Sequence, residues 1–305
     1  MGYDRIRIKT NAKDIVRQAS PRPWGVTLLL WFLLADLTAL SALPLMATGL
    51  FSAPVGSRPP LLSVLLGILL GVGLVLLSLI LHAGYASYAL HLWRQEPSAG
   101  FADLLLGFFA VPQILDLWVR LMVYTLLWAA PGVALLAWLI HLAAGADPSP
   151  MLIWLLPAVT VLFSLYMLER VSRYTLALFA LMDKPEAGAP AAIDRSKQLM
   201  SGRRVDLLVF LLSFLGWWLV TALVAGLFFL LGFLLVALLL AAQSNPTQIF
   251  TLLLPFQLFG LAAAMPMLLW LTPYMGTAFA GFYAAACAPP FPGLQPPEYR
   301  RRDQL

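Results

Sequence analysis

Long apolar runs alternate along this chain with short polar connections. Six runs are apolar over helical lengths: residues 24–50, 61–93, 111–142, 151–182, 205–242 and 249–287. A helix rises about 1.5 Å per residue and a bilayer core is about 30 Å thick, so each run is long enough to cross one. The 61–93 run exceeds that need. Its last third carries His82, Tyr85, Ser87, Tyr88 and His91, which predicts a projection beyond the hydrocarbon or a wet face. Pro131-Gly132 predicts a kink in the third run, and Pro255, Pro266 and Pro273 predict breaks in the sixth. The fifth run is interrupted only by glycines and reads as one helix.

Three connections carry apolar residues at helical spacing with polar residues opposite. Near 11–19, Asn11 caps a stripe of Ala12, Ile15, Val16 and Ala19. Near 101–109 the stripe is Phe101, Leu104, Leu105 and Phe108. Over 189–200, Ala189, Ala192, Ile193, Ser196, Leu199 and Met200 share a face, Pro190 suits the first turn, and Gly202 supplies the stop. Each of these precedes two long runs. Units near 11–94, 98–183 and 189–287 therefore describe a three-fold repetition of surface helix plus hairpin. The plainer alternative is that connections beside a bilayer are often amphipathic. The expected fold class is all-α: a polytopic membrane protein with six transmembrane helices and about three cytoplasmic amphipathic surface helices. Its parts are an N-terminal segment (1–23), the six-span domain (24–287) and a Pro/Arg-rich cytoplasmic tail (288–305).

Composition sharpens this picture. Of 305 residues, 61% are hydrophobic and 11% charged, against about 25% charged in soluble domains. The mean hydropathy is +0.87, so the bilayer is the expected solvent for most of the chain. A net charge of +5 raises nucleic acid as a partner, but the basic residues flank apolar runs, where membrane orientation explains them. Arg5, Arg7, Lys9, Lys13, Arg17 and Arg22 precede the first run, and Lys184, Arg195, Lys197, Arg203 and Arg204 lie in the 184–204 connection. Arg94 and Arg300-Arg301-Arg302 fall on the same side, and the opposite turns hold only Arg58. The positive-inside rule then places both termini in the cytoplasm of a multi-pass cytoplasmic-membrane protein. The single cysteine, Cys287, excludes an internal disulfide and a cysteine-cluster metal site. The first 23 residues are polar and lead to no small-residue cleavage site, so a removed signal peptide is not expected.

Ionisable residues at membrane depth are the candidates for chemistry. Asp116/Arg120 and Glu169/Arg173 are acid-before-base pairs at i,i+4. Both arginines fall about nine or ten residues from the cytoplasmic ends of their runs, or ~14 Å along a helix. Tyr85, Tyr88, Tyr124, Tyr174 and Tyr283 occupy the same half, so the set describes a candidate polar cavity open to the cytoplasm. The competing reading is self-satisfied ion pairs with snorkelling arginines and interfacial tyrosines. Asp36 has no partner one turn away and is a candidate proton carrier. His82 and His91 lack the Cys or Glu that would complete a zinc site. Phosphate loops, HExxH, GxSxG and Rossmann glycine patterns are absent from the sequence. Enzymatic activity, a cofactor, a metal and nucleic acid are therefore not expected. The partners expected are membrane lipids, with a protein partner or a second copy meeting small-residue faces such as Gly276 to Gly281.

A family resemblance spans most of the chain. It rests on Ala12-Lys13 leading to Trp24-Gly25, on Pro131-Gly132, on Tyr174 with Asp183-Lys184-Pro185, and on Ser196 to Gly202. Leu212 to Trp218 and Pro273-Tyr274 with Ala278, Phe282 and Tyr283 complete it. In these residues the chain resembles the bacterial integral membrane proteins of the domain-of-unknown-function-975 family. It departs from them in extra apolar length after Pro131-Gly132 and between Val224 and Trp270. The resemblance implies a six-span inner-membrane protein of uncharacterised activity and no catalytic residues. The expected function is a non-enzymatic role in binding or organising lipids or partners. The alternative is a small-molecule or lipid transporter built on the polar cavity.

Overall fold

The structure is a computed structural model that describes residues 5–47, 61–143, 150–241 and 246–288. Side chains at 36–47, 62–63, 143, 150, 152–153, 239–241, 246–258 and 261 are not described. Asp36 therefore contributes a helical backbone position and nothing more. Arg58, with most of its turn, and the tail with Arg300-Arg301-Arg302 lie outside the described residues.

All regular structure among the described residues is helical. The order is α1 (Arg5–Gln18), α2 (Pro23–Ala47), α3 (Leu61–Trp93), α4 (Asp103–Leu106), α5 (Val111–Ala143), α6 (Pro150–Ser172), α7 (Ala177–Asp183), α8 (Gly188–Met200), α9 (Arg204–Leu212), α10 (Leu215–Ala241) and α11 (Pro246–Cys287). Four stretches are long and apolar enough to cross a membrane: Val64–Trp93, Asp103–Leu142, Trp154–Asp183 and Arg204–Leu238. The helices α2 and α11 add 25 and 42 residues. In the most apolar part of each of the four stretches, at most 11% of residues are buried. Leu65, Leu69, Met122, Leu162 and Leu223 thus point outward. Hydrating such side chains costs about 25 cal/mol per Å², so these helices require apolar surroundings.

Packing is concentrated at one end. In α3, Leu65 and Leu69 are exposed while Leu81, Ala83, Tyr88 and Leu90 are buried. There α3 meets the last third of α11, with α1 and α7 against the same pair and α8 behind α7. The helices α9, α10 and α11 share an aromatic seam. Phe210 contacts Phe214, Phe279 and Phe282 with ring centroids 5.2–5.4 Å apart, and Trp217 meets Trp270 at 5.1 Å. The small residues Gly276 and Gly281 serve contact within the chain: a Cβ on Gly281 would lie 2.6 Å from the Trp93 ring.

Helix continuity differs from the sequence expectation in instructive ways. The breaks expected in the sixth run do not occur: α11 runs unbroken through Pro255, Pro266 and Pro273. Proline removes one N–H, a loss that a long helix in apolar surroundings tolerates when local adjustment or a neighbour satisfies the freed carbonyl. The 205–242 run is instead divided at Ser213-Phe214, and the 151–182 run at Arg173 to Leu176. Of the stripe expected at 101–109 only Leu104 is buried. Phe101, Leu105 and Phe108 are exposed, and Asp103, Leu104, Gly107 and Ala110 face inward. Only one α turn forms, followed by a 3-10 turn over Gly107–Ala110.

Backbone contact explains that short element. A Cβ on Gly84 would lie 2.2 Å from the Leu104 carbonyl oxygen, and one on Gly107 would lie 2.2 Å from the Ile80 carbonyl oxygen. Only glycine permits this approach of α3 to the 103–110 segment. The expected face of α8, by contrast, is the buried one in full, and Gly202 follows it at φ +76°. Gly84→Ala and Gly107→Ala are each expected to destabilise the fold by about 1–3 kcal/mol through overpacking. Gly216→Ala, which meets open space, should leave stability unchanged or slightly raised. Thermal unfolding of the detergent-solubilised protein measures all three.

Candidate functional site

The polar end of the bundle is built around the two helix divisions. Each division follows a serine whose hydroxyl turns back on its own helix. Ser172 Oγ donates to the Glu169 carbonyl at 2.8 Å, and Ser213 Oγ donates to the Phe210 carbonyl at 2.5 Å. Such back-bonding competes with the regular helical pattern. Here the following N–H groups shift to i−3 partners: Tyr174 N to Val171 O, and Phe214 N to Leu211 O. The carbonyls released are taken by short helices. Ser196 of α8 donates to the Arg173 carbonyl at 2.8 Å, and Lys9 of α1 donates to the Ser213 carbonyl at 2.9 Å. Lys9 also lies 4.7 Å over the Phe214 ring. Burial, and then the neighbouring Arg5 charge, hold its pKa below the usual lysine value. Arg203 Nη1 closes α11 by donating to the Ala286 carbonyl at 2.9 Å.

The candidate residues fall into separate groups around this framework. Glu169, at the end of α6, pairs with Arg173 at 2.8 Å and with Arg204 of α9, and Arg170 Nε lies 3.4 Å from it. Arg170 stacks over Trp128 at 4.2 Å and Tyr166 at 5.2 Å. Tyr124 and Tyr174 are stacked, with centroids 5.8 Å apart, and Lys197 of α8 lies over both. Tyr283 donates to Asp183 Oδ2 at 2.9 Å, and Asp183 Oδ1 accepts from Arg94. Tyr85 shares a hydrogen bond with Thr27 at 3.0 Å, and its ring lies 5.7 Å from that of Tyr88. The buried Tyr88 hydroxyl has no hydrogen-bond partner among the described residues. Asp116 and Arg120 bond each other at 2.7 Å.

Tyr124 and Tyr174 are thus brought together, as are Glu169 and Arg173. Tyr85, Tyr88 and Tyr283 belong to other groups. This arrangement suits anion recognition and helix bracing. Among the described residues, no cluster of three His, Cys, Asp or Glu is placed to hold a metal.

Residues 1–288 match the family described as Protein of unknown function (DUF975). The chain belongs to this family. No curated protein and no solved structure matches it. Within this DUF975 chain the blocks that carried the resemblance lie at structural junctions. Ser196 holds the first helix division, Leu212 to Trp218 contains the second, and Tyr274 packs on Phe214 with centroids 5.3 Å apart.

Sequence reasoning passed over several residues of the DUF975 polar end. Asp183 entered only through the family resemblance and Arg94 only through the charge asymmetry, yet they join α7 to α3. Asp103 was not singled out. It is buried, accepts the Gly100 N–H at 3.0 Å and lies 3.0 Å from His91 Nδ1. One available signal for the helix divisions was Ser213 inside an otherwise apolar run and Ser172 among the charges Glu169, Arg170 and Arg173. Ser196→Ala and Lys9→Met are each expected to destabilise the protein by about 1–3 kcal/mol, the cost of leaving a partly buried carbonyl without its donor. Thr160→Ala, whose hydroxyl bonds its own helix on an exposed face, should stay within about 0.5 kcal/mol. Thermal unfolding in detergent distinguishes the two classes.

Proposed function

We propose that this chain is a six-span protein of the cytoplasmic membrane, with both termini in the cytoplasm, that binds or organises lipids or protein partners and catalyses no reaction. One observation carries this reading. Asp116, Arg120, Glu169, Arg173, Tyr85, Tyr124, Tyr174 and Tyr283 are each engaged by a neighbour, and their groups are distributed around the polar end. With Asp116, Arg120 and the tyrosines held by local partners, the exposed apolar helices and their charged rim, to which Glu169 and Arg173 belong, remain as the surface that meets other molecules. The N-terminal segment and the 184–204 connection carry most of the basic residues, which supports the cytoplasmic assignment of that end.

A transporter is the second reading. It is favoured by the Asp116–Arg120 pair, whose side chains are 42% and 43% exposed, an arrangement that suits a polar path beside α5. Thiol labelling separates the two. In a Cys287→Ser background, Ser87→Cys and Thr175→Cys are treated with a membrane-impermeant maleimide in inverted and right-side-out vesicles. Slow labelling at both positions from either side is expected of packed braces. Fast labelling of Ser87→Cys from the cytoplasmic side would reveal water beside α3 and favour transport.

A further inference from the structure

The Glu169 cluster is not electrically balanced. Its one carboxylate lies within ion-pair distance of Arg170, Arg173 and Arg204. Three guanidinium groups bring roughly fifteen N–H donors to a carboxylate with about four acceptor sites. The shortage is visible in the geometry: Nε of Arg170, of Arg173 and of Arg204 is buried without a hydrogen-bond partner. The nearest acid in sequence on α9, Asp206, is exposed two residues beyond Arg204, where helical periodicity turns it to another face. Asp194 is bonded to Lys197 at 3.1 Å. Two positive charges therefore remain in excess among the four side chains.

The surroundings define what anion fits. Leu165 lies one turn before Glu169 on α6, and Leu208 and Leu212 lie one and two turns after Arg204 on α9; all three are exposed. In the six-span arrangement proposed above α6 and α9 run in opposite senses, so both directions lead the same way, from the charges down onto apolar surface. One turn is about 5.4 Å. Arg170 is held against Trp128 and Tyr166, the aromatic types that sit at headgroup level. A soluble anion would use the charges and leave this apolar slope unused. A protein segment would need to enter the acyl region to cover it.

We infer that Arg170, Arg173 and Arg204, centred on Glu169, form a binding site for the phosphate of an anionic phospholipid whose acyl chains lie along Leu165, Leu208 and Leu212. This site rests on the lipid-binding reading above and gives it a location. The arginines supply bidentate donors to phosphate oxygens, and Glu169 fixes their spacing while competing with the ligand. That competition gives the site a signature of its own. Removing the Glu169 charge should strengthen lipid binding, whereas a purely structural salt bridge would only be weakened.

The test is native mass spectrometry of the full chain, delipidated in detergent and titrated with phosphatidylglycerol or phosphatidylcholine. Wild type is expected to retain phosphatidylglycerol preferentially. Arg173→Gln/Arg204→Gln should reduce that retention about 30-fold, from about 1 kcal/mol per basic residue at an anionic lipid surface. Glu169→Gln should raise it about five-fold. If the double variant does not fold, Glu169→Gln alone decides, and unchanged or reduced retention overturns the site. Wild-type preference that survives in the folded double variant also overturns the site but leaves lipid binding standing. Absence of any preference in wild type overturns site and lipid-binding reading together. Displacement of phosphatidylglycerol by millimolar inorganic phosphate would reassign the cluster to a soluble anion.

Discussion

A carbonyl released inside an apolar helix must find a donor, because in apolar surroundings an unsatisfied backbone group costs several kcal/mol. Two long apolar runs of this protein release such carbonyls where they divide, at Arg173 and at Ser213, and neither recovers them alone. Ser196 and Lys9 supply the donors from α8 and α1. The short helices are therefore more than amphipathic connections resting on a surface. Their position along the bundle is set by the depth at which α6 and α9 end.

Once those donors are fixed, the rest of the polar end has little freedom. The α8 helix brings Lys197 over the Tyr124–Tyr174 stack, and the turn after it brings Arg203 to the end of α11 and Arg204 to Glu169. The α1 helix lies along α11 with Ile8, Ala12, Ile15 and Val16 inward. The division between α9 and α10 places Phe210 and Phe214 on the aromatic seam with α11. The elements that looked like separate hairpins in the sequence are joined here through main-chain acceptors and long polar side chains.

The same geometry explains why charge appears at two levels of organisation. Arg94, Asp183 and Tyr283 form a chain of polar contacts that ties α3, α7 and α11 together. The Glu169 cluster lies toward the outside of the bundle, rimmed by exposed leucines, and keeps an excess of positive charge. A brace is balanced internally, and a surface for anions is not. Membership of a family of unknown function assigns neither role, so the distinction comes from donor and acceptor counting at each cluster.

Much of this was legible from residue order alone. Apolar length determined the helical class and the long helices, because only a helix satisfies its own backbone over such a run. Periodicity fixed the buried face of α8 in full and most of that of α1, since both stripes are local and unbroken, although α1 begins at Arg5 and holds Asn11 inside it instead of at a cap. The 101–109 stripe misled, because the decisive contact is between the backbones of Gly84 and Leu104, residues far apart in sequence that no periodicity links. Helix continuity was misjudged for a related reason. Proline announces a break that neighbouring groups can absorb, while Ser172 and Ser213 cause breaks that depend on donors from α8 and α1. The i,i+4 pairs Asp116/Arg120 and Glu169/Arg173 were readable because their partners are local. Only tertiary structure brought Arg204 to Glu169 and Arg94 to Asp183. It separated the Tyr85–Tyr88 pair and Tyr283 from the Tyr124–Tyr174 stack, because side-chain partnership across helices is set by how the helices pack and not by their spacing along the chain.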